Sequence, residues 1–422
     1  MKSFVKLTAL ALFSAASIAS ADVTINIVGA TAFRAAVHNG LLSSTGLFDG
    51  NGGTAGPTTY AHDKASGLVS GAGRSSWKGN VTGYGTVIVR CFWTGSVQGI
   101  KDVTAGNAVQ FLADSTIAGT GENALGTASP LGTAQAAQFT FADCKQASTE
   151  FISPELVTVP VGVIVFSYAV NDTSATGATT LLRYGFDNIT AQAAKKLRGS
   201  GSMKKRALTG VTTDTKPIYS VGRDIGSGTR VIELAETGYG VFTNLKHYKL
   251  TAGTGGALGT LIKMQLWPTG TKYATTGNDP TIGNGGYTSG GTLAGLMADK
   301  SDGSVDVLGT DGTTVLATVT GGIHYIGCFG ISDATTVFNG GGAYLNYEGT
   351  SYQSTSDNAK VASGKYTLWS YENLMNVDTI STDQAAIRDL LVPAIDTNIG
   401  SAGIKLGDMS ATRDEDGGLV AP

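Results

Sequence analysis

The chain has 422 residues, of which 60 are glycine, 14% are charged and 41% are apolar. This length exceeds what one hydrophobic core usually supports, so two domains or lobes are expected, and the apolar content excludes a disordered chain. The net charge of −3 argues against nucleic acid or an anionic membrane as a partner, because either favours a basic surface.

The first 21 residues predict a secretory signal peptide. Lys2 and Lys6 precede an apolar stretch at 7–18, and Ala-Ser-Ala at 19–21 is a small-x-small cleavage site. The mature chain should therefore begin at Asp22, in the periplasm or outside the cell. The apolar stretch is too short to span a bilayer and no cysteine follows the cleavage site, so neither membrane insertion nor a lipid anchor is expected.

The cysteines and histidines point to no metal or redox chemistry. Cys91, Cys144 and Cys328 are odd in number and widely spaced, which excludes a disulfide framework or zinc site but leaves one bridge open. The four histidines are scattered without an HExxH motif, and GxSxG is absent. We therefore expect no cofactor, no metal and no enzymatic activity.

Predicted strands and helices alternate along the chain. The strands are expected at 23–28, 86–93, 138–143, 218–221 and 323–329, and the helices at 33–42, 99–103, 190–197, 229–236 and 383–391. The apolar run 156–170 contains Pro160 and predicts a buried strand pair or crossover. Two Gly- and Thr-rich segments, 43–85 and 250–320, predict long loops, the second with weak strands. This alternation predicts an α/β fold, in which ligands bind at the carboxyl ends of strands.

The segment Arg223–Thr229, RDIGSGT, sets a charged pair beside a backbone with little side-chain bulk. Its N–H groups can form an anion-binding nest, and the helix after it, with Ser227 as N-cap, adds the positive end of its dipole. Arg223 would offer donors to an oxyanion, and Asp224 could hold or balance the guanidinium. The alternative is a surface turn with a helix cap and a solvated ion pair. The spacing is not that of a Walker loop.

Other motifs stand in the order found in one protein family. They are a GATAF loop at 29–33, a GS turn at 95–96 followed by GIK at 99–101, FAD at 141–143, a proline-led strand at 159–163, an ITAQ helix from 189 with Thr-Gly at 209–210, and GKYTLW at 364–369. With RDIGSGT they resemble the phosphate-binding proteins of ABC phosphate importers, a branch of the periplasmic binding proteins, over nearly the whole mature chain.

The resemblance implies a two-lobed, periplasmic-binding-protein-like fold of type II. Lobe I would comprise residues 22–160 and 332–422 and lobe II residues 161–331, with hinges at 157–168 and 329–332. It also implies a site between the lobes, carried over one residue at a time: Thr31, Ala32, Phe33, Ser96, Asp143, Arg223, Ser227, Gly228 and Thr229.

The resemblance further implies a role for each charged residue of that site. Arg223 would pair with the anion. Asp143 would accept the proton of hydrogen phosphate and so reject sulfate, since a carboxylate repels an anion unless a proton lies between them. The motif departs from the family at Ile225, where the family has its acid; here the acid is Asp224.

The function that the resemblance implies is capture of inorganic phosphate outside the cytoplasm for delivery to an ABC permease, by a monomer. Two alternatives stay open. One is binding of another oxyanion or an organophosphate on the same fold. The other is a secreted or surface protein on this scaffold, either adhesive or phosphatase-like, although a phosphatase needs a metal cluster or an activated nucleophile that the sequence does not show.

Overall fold

The computed structural model describes residues 22–65, 71–171, 185–252, 261–268, 282–298, 304–320 and 322–422. The predicted signal peptide lies outside these residues. Within them, no helix is long and apolar enough to cross a membrane.

The elements alternate between strands and helices, as expected. The helices are α1 Arg34–Leu42, α2 Ser96–Ala105, α3 Ala191–Ser200, α4 Arg206–Thr209, α5 Gly228–Glu236, α6 Gly290–Ala298, α7 Ile331–Asn339, α8 Asn358–Ala362 and α9 Thr382–Asn398. The strands are β1 Val23–Gly29, β2 Thr59–His62, β3 Arg74–Val81, β4 Gly85–Phe92, β5 Ala108–Val109, β6 Gly121–Ala124, β7 Gln135–Ala136, β8 Phe139–Ala142, β9 Val157–Val170, β10 Asn188–Ile189, β11 Ser202–Lys204, β12 Pro217–Ser220, β13 Tyr248–Ala252, β14 Leu261–Leu266, β15 Val305–Leu308, β16 Val315–Val319, β17 His324–Gly330, β18 Ala343–Tyr347 and β19 Trp369–Asn376.

Most strands belong to one mixed sheet in two groups. Its main path runs β11-β12-β17-β9-β19-β8-β1-β4-β3-β2-β6, with β18 and β10 attached beside β9. The strands before β9 in this path lie within the predicted lobe II and those after it within the predicted lobe I. A separate sheet, β13-β14-β15-β16, adds to the second lobe through the core that Leu250, Met264 and Val307 share with Tyr325. The two-lobed α/β architecture expected from the sequence is confirmed.

Strand β9 connects the two groups without a break. Its residues 157–165 pair with β19 and its residues 166–170 pair with β17. The apolar run that contains Pro160 is therefore a single long strand, buried from Val161 to Val170, which explains why it shows no alternation of polar and apolar residues. The boundaries of the lobes and the hinge positions stay predictions.

The expectation of a long loop at 43–85 is wrong for its second half. Strands β2 and β3 pair there in antiparallel register, with Thr59 opposite Lys78, and β3 pairs with β4. On β3 the buried Trp77 directly follows two buried serines, Ser75 and Ser76. Small polar residues thus occupy core positions, which conceals the hydrophobic pattern on which a strand prediction depends.

Arg198 of α3 belongs to the basic run Lys195-Lys196-Leu197-Arg198, yet it is completely buried. Its guanidinium lies 2.5 Å from the Glu233 carboxylate of α5 and donates to the Ser220 hydroxyl at 2.6 Å and the Val221 carbonyl at 3.1 Å. This ion pair fixes α5 against the end of β12. It therefore helps to position the turn that precedes α5.

Candidate functional site

The predicted site residues follow the carboxyl ends of strands. Strand β1 runs parallel to both β4 and β8, so the ends of these three strands share one edge of the first lobe. In the second lobe β12 is parallel to β17. The loops after β1, β4 and β12 lead into α1, α2 and α5, so the positive ends of three helices face the site region.

Asp143 and Ser96 form a buried pair at the end of β8. Each is 1% exposed, and the Ser96 hydroxyl donates a short hydrogen bond to Asp143 Oδ1. Burial raises the pKa of Asp143 to about 6, while the Ser96 hydrogen bond and the charge of Arg223 act in the opposite direction. The carboxylate is thus ionised near neutral pH but easily protonated, as a proton acceptor for a ligand requires.

Gly228, the first residue of α5, lies directly against this pair. A Cβ atom at this position would stand 1.5 Å from Asp143 Oδ1 and 2.6 Å from Ser96 Oγ. Only glycine fits, because the carboxylate occupies the space of any side chain. The second lobe therefore brings the positive end of α5 into contact with the acid of the first lobe, and that end favours negative charge.

The bare backbone of RDIGSGT is used in a second contact between the lobes. The Gly226 carbonyl accepts hydrogen bonds from the amides of Val97 at 3.1 Å and Gln98 at 3.3 Å, in the first turn of α2. Gly95, before that turn, has φ 102° and approaches so closely that a Cβ there would lie 2.7 Å from the Gly226 oxygen. A side chain at Gly95 would prevent the approach.

Ser227 occupies the N-cap position of α5, as predicted, but its hydroxyl makes no capping hydrogen bond. Its Oγ is buried without a partner among the residues that the structure describes, and the same holds for Thr94 Oγ1 in the turn before α2. A buried hydroxyl without a partner is costly, so both atoms can gain from a polar ligand. Thr229 is buried in the first helical turn, whose amides have no intrahelical acceptor.

Arg223 is buried and held by backbone carbonyls. Its Nε donates to the Tyr287 carbonyl at 3.0 Å and its Nη2 to the Thr288 carbonyl at 2.8 Å. The same Nη2 reaches Thr31 Oγ1 of the first lobe at 3.4 Å. Asp224 instead accepts from the Gly226 amide at 3.2 Å and so closes the turn. The guanidinium is thus oriented by backbone carbonyls rather than by Asp224.

The loop after β1 places its three predicted residues differently. Thr31 is half-buried and contacts Arg223, as above. Phe33 is buried in the core, with its ring 6.4 Å from that of Phe141, so its side chain anchors the loop. Ala32 is half-buried, and its methyl group lies 3.4 Å from where a Cβ of Gly330 would be. The loop therefore touches Gly330 at the end of β17, in the predicted hinge segment 329–332.

Two charged residues at this site were missed by the sequence reasoning. Asp333 lies in the first turn of α7, and Arg34 directly follows Phe33. Burial raises the pKa of Asp333, and the charges of Arg223 and Arg34 oppose this. A Cβ at Gly290 would stand 2.0 Å from Asp333 Oδ2 and 3.1 Å from Arg223 Nη1. Asp333 follows the end of β17, so the strand-end rule that selected Asp143 could have found it.

Neither a family model nor a curated protein matches the chain. Solved structures similar to it include PstS from Borrelia burgdorferi, with 12% identity over 91% of this chain and 100% of that one at a TM-score of 0.39. Another is an ABC-type phosphate transport receptor from Vibrio cholerae, with 11% identity over 89% and 98% of the two chains at a TM-score of 0.41. A third is a possible phosphate binding protein from Planctomyces limnophilus DSM 3776, with 11% identity over 91% and 99% at a TM-score of 0.36. The chain is thus similar to solved proteins of the class that its motifs resemble.

Proposed function

We propose that the chain captures inorganic phosphate between its two lobes and delivers it to an ABC permease. The observation that carries this proposal is the position of Asp143, a buried proton acceptor at the positive end of α5 and beside Ser96. Hydrogen phosphate can donate its proton to this carboxylate while its other oxygens accept hydrogen bonds. The oriented guanidinium of Arg223 and the Ser227 hydroxyl supply such donors.

The same arrangement would exclude sulfate above the pKa of Asp143. Sulfate has no proton at neutral pH, so its oxygens would face the ionised carboxylate across a buried site, which is strongly unfavourable. Below pH 6 Asp143 becomes a donor and the exclusion weakens. About 1% of Asp143 is neutral at pH 8 if its pKa is about 6, so sulfate affinity should rise by up to about 100-fold on acidification to pH 5.

The test is calorimetric titration of the purified chain with phosphate and with sulfate at pH 5, 6 and 8, beside Asp143→Asn. We expect phosphate binding at every pH, sulfate binding only at acidic pH, and sulfate binding at all three values in the variant, because an amide can donate. Asp378→Asn, an exposed position, is the matched control. Absence of phosphate binding at millimolar concentration would refute the proposal.

An organophosphate is the second candidate ligand, favoured by a cavity of about 150 Å³ beside the same two turns. Val97 and Gln98 of α2 line it together with Ile225 and Gly226, and Phe151 closes one wall. A small apolar substituent would be sheltered there. If this reading is right, a phenyl or alkyl phosphate binds more tightly than inorganic phosphate, and Phe151→Ala removes the difference without weakening phosphate.

A further inference from the structure

Glu372, in the middle of β19, is a buried acid without a partner. Its exposed fraction is 0%, and neither carboxyl oxygen has a hydrogen-bond partner among the residues that the structure describes. Buried carboxyl groups are normally paired or hydrogen-bonded, because an unpaired buried charge is very costly. A neutral, protonated Glu372 avoids that cost, but its position still needs an explanation.

The strand register places Glu372 next to Asp143. Strand β19 is antiparallel to β8, with Leu374 opposite Phe141 and Asn373 opposite Ala142. One further step of the same register sets Glu372 opposite Asp143. On the β9 side, a β-bulge falls between Glu372 and Asn373, and such bulges re-aim side chains.

Among the residues that the structure describes, the charge that acts on Glu372 is negative, and no cation offsets it. Burial raises the pKa of Glu372 well above its usual range, and the charge of Asp143 raises it further. The charge of Glu372 also contributes to raising the pKa of the buried thiol of Cys144, in the segment after β8. On β9 the neighbour of Glu372 is Gly162, against which the apolar side chains of Phe33 and Ile399 pack closely.

The remaining charges of this region act on Asp143. Arg223 lowers the pKa of Asp143 and Asp416 raises it, both less than burial does. Asp416 accepts a hydrogen bond from the backbone amide of Lys145, in the segment after β8, at 2.7 Å. The positive charge of Arg223 therefore stabilises the ionised form of Asp143, while Glu372 stays in an apolar, negative environment.

We propose that Glu372 and Asp143 act as one carboxyl pair, in which Glu372 keeps its proton while Asp143 receives the ligand's proton, and in which ionisation of Glu372 expels the anion. Two neighbouring buried carboxylates cannot both be charged at little cost, and a bound dianion would add a third charge. When Glu372 releases its proton to solvent, its new negative charge faces the ionised Asp143 and the bound anion across a buried site, so the anion leaves. The pair rests only on this geometry; the expulsion step also rests on the proposed function.

The pair can be tested without ligand, from thermal unfolding of the wild type, Glu372→Gln, Asp143→Asn and the double variant between pH 5 and 10. We expect the wild type to lose stability at alkaline pH as Glu372 ionises. This decline of the stability profile, the alkaline limb, should be missing in Glu372→Gln. In Asp143→Asn the limb should move to lower pH by about one unit or more, since the neighbouring charge is gone. The double variant should behave like Glu372→Gln. Glu155→Gln, on the surface, should follow the wild type.

Two results would overturn the pair: a Glu372→Gln profile identical to the wild type, or an alkaline limb that Asp143→Asn leaves in place. The second result needs only the Asp143 variant, so the test survives if Glu372→Gln fails to fold.

The expulsion step is tested by phosphate titrations between pH 6 and 10. We expect affinity to fall at least about tenfold through the Glu372 limb and to stay level in Glu372→Gln. A level wild-type profile, or the same fall in the variant, overturns expulsion. Coupled stability limbs without any phosphate binding would refute the proposed function and the expulsion step and keep the pair. Phosphate binding without coupling would keep the proposed function and refute the pair together with the expulsion step.

Discussion

At the scale of single residues, the site depends on what glycine permits. Gly228 and Gly95 let backbone and carboxylate approach to distances that no side chain tolerates. RDIGSGT thus has little bulk because its backbone meets Asp143 and the first turn of α2 in the other lobe. The sequence reasoning selected these glycines, but it assigned their freedom to the ligand alone.

Gly228→Ala tests this contact. The added methyl group would collide with Asp143 Oδ1, so the carboxylate or α5 must move. We expect a loss of about 1–3 kcal/mol in the free energy of unfolding, as for an overpacked core, together with weaker phosphate binding. Urea denaturation and calorimetry measure the two effects.

The control is Gly295→Ala in α6, where a Cβ atom meets nothing within 4 Å. There alanine should stabilise the helix by about 0.5–1 kcal/mol and leave binding unchanged. Equal effects at the two glycines would contradict the close approach at Gly228.

At the scale of elements, the sequence predicted the strands and helices that have a regular apolar pattern. It did not predict the strand and the ion pair that bury polar or charged side chains. The strands β1, β4 and β17 and the helices α1 and α5 lie where the apolar pattern places them. Strand β3 was missed because two buried serines precede Trp77. The burial of Arg198 depends on an ion-pair partner 35 residues away. Such pairings arise only from tertiary packing, which a local pattern does not contain.

The Arg198–Glu233 pair should hold α5 in place. Arg198→Met leaves the Glu233 carboxylate buried without its cation, so we expect a loss of about 3–5 kcal/mol in the free energy of unfolding. The double variant with Glu233→Met should cost less than the single one, because no charge is left unpaired. Chemical denaturation of both variants measures this, and a double variant at least as unstable as Arg198→Met would contradict it.

At the scale of the whole molecule, buried acids surround the junction of the lobes. Burial is the first cause of a raised pKa in Asp143, Asp224, Glu236, Asp333, Glu372 and Asp416. Each of these groups binds its proton more tightly in the folded than in the unfolded chain. Their contribution to stability is therefore complete below their unfolded pKa values and is lost as the pH rises through the folded ones.

We accordingly expect the unfolding temperature without ligand to be highest at mildly acidic pH, near 5, and to fall toward pH 8. For Asp143 alone, a pKa raised from 3.8 to about 6 corresponds to at most about 3 kcal/mol. Thermal unfolding at constant ionic strength measures the profile, and Asp143→Asn should reduce its slope between pH 4 and 6. A maximum at or above pH 8 would contradict this reading.

The continuity of β9 sets the mechanics of the molecule. Every part of this strand is hydrogen-bonded, to β19 over its first half and to β17 over its second. A linker of this kind cannot swivel freely as a loop does, because rotation about it would break ladder bonds on one side or the other. Separation of the predicted lobes would therefore require β9 to bend and twist along its length.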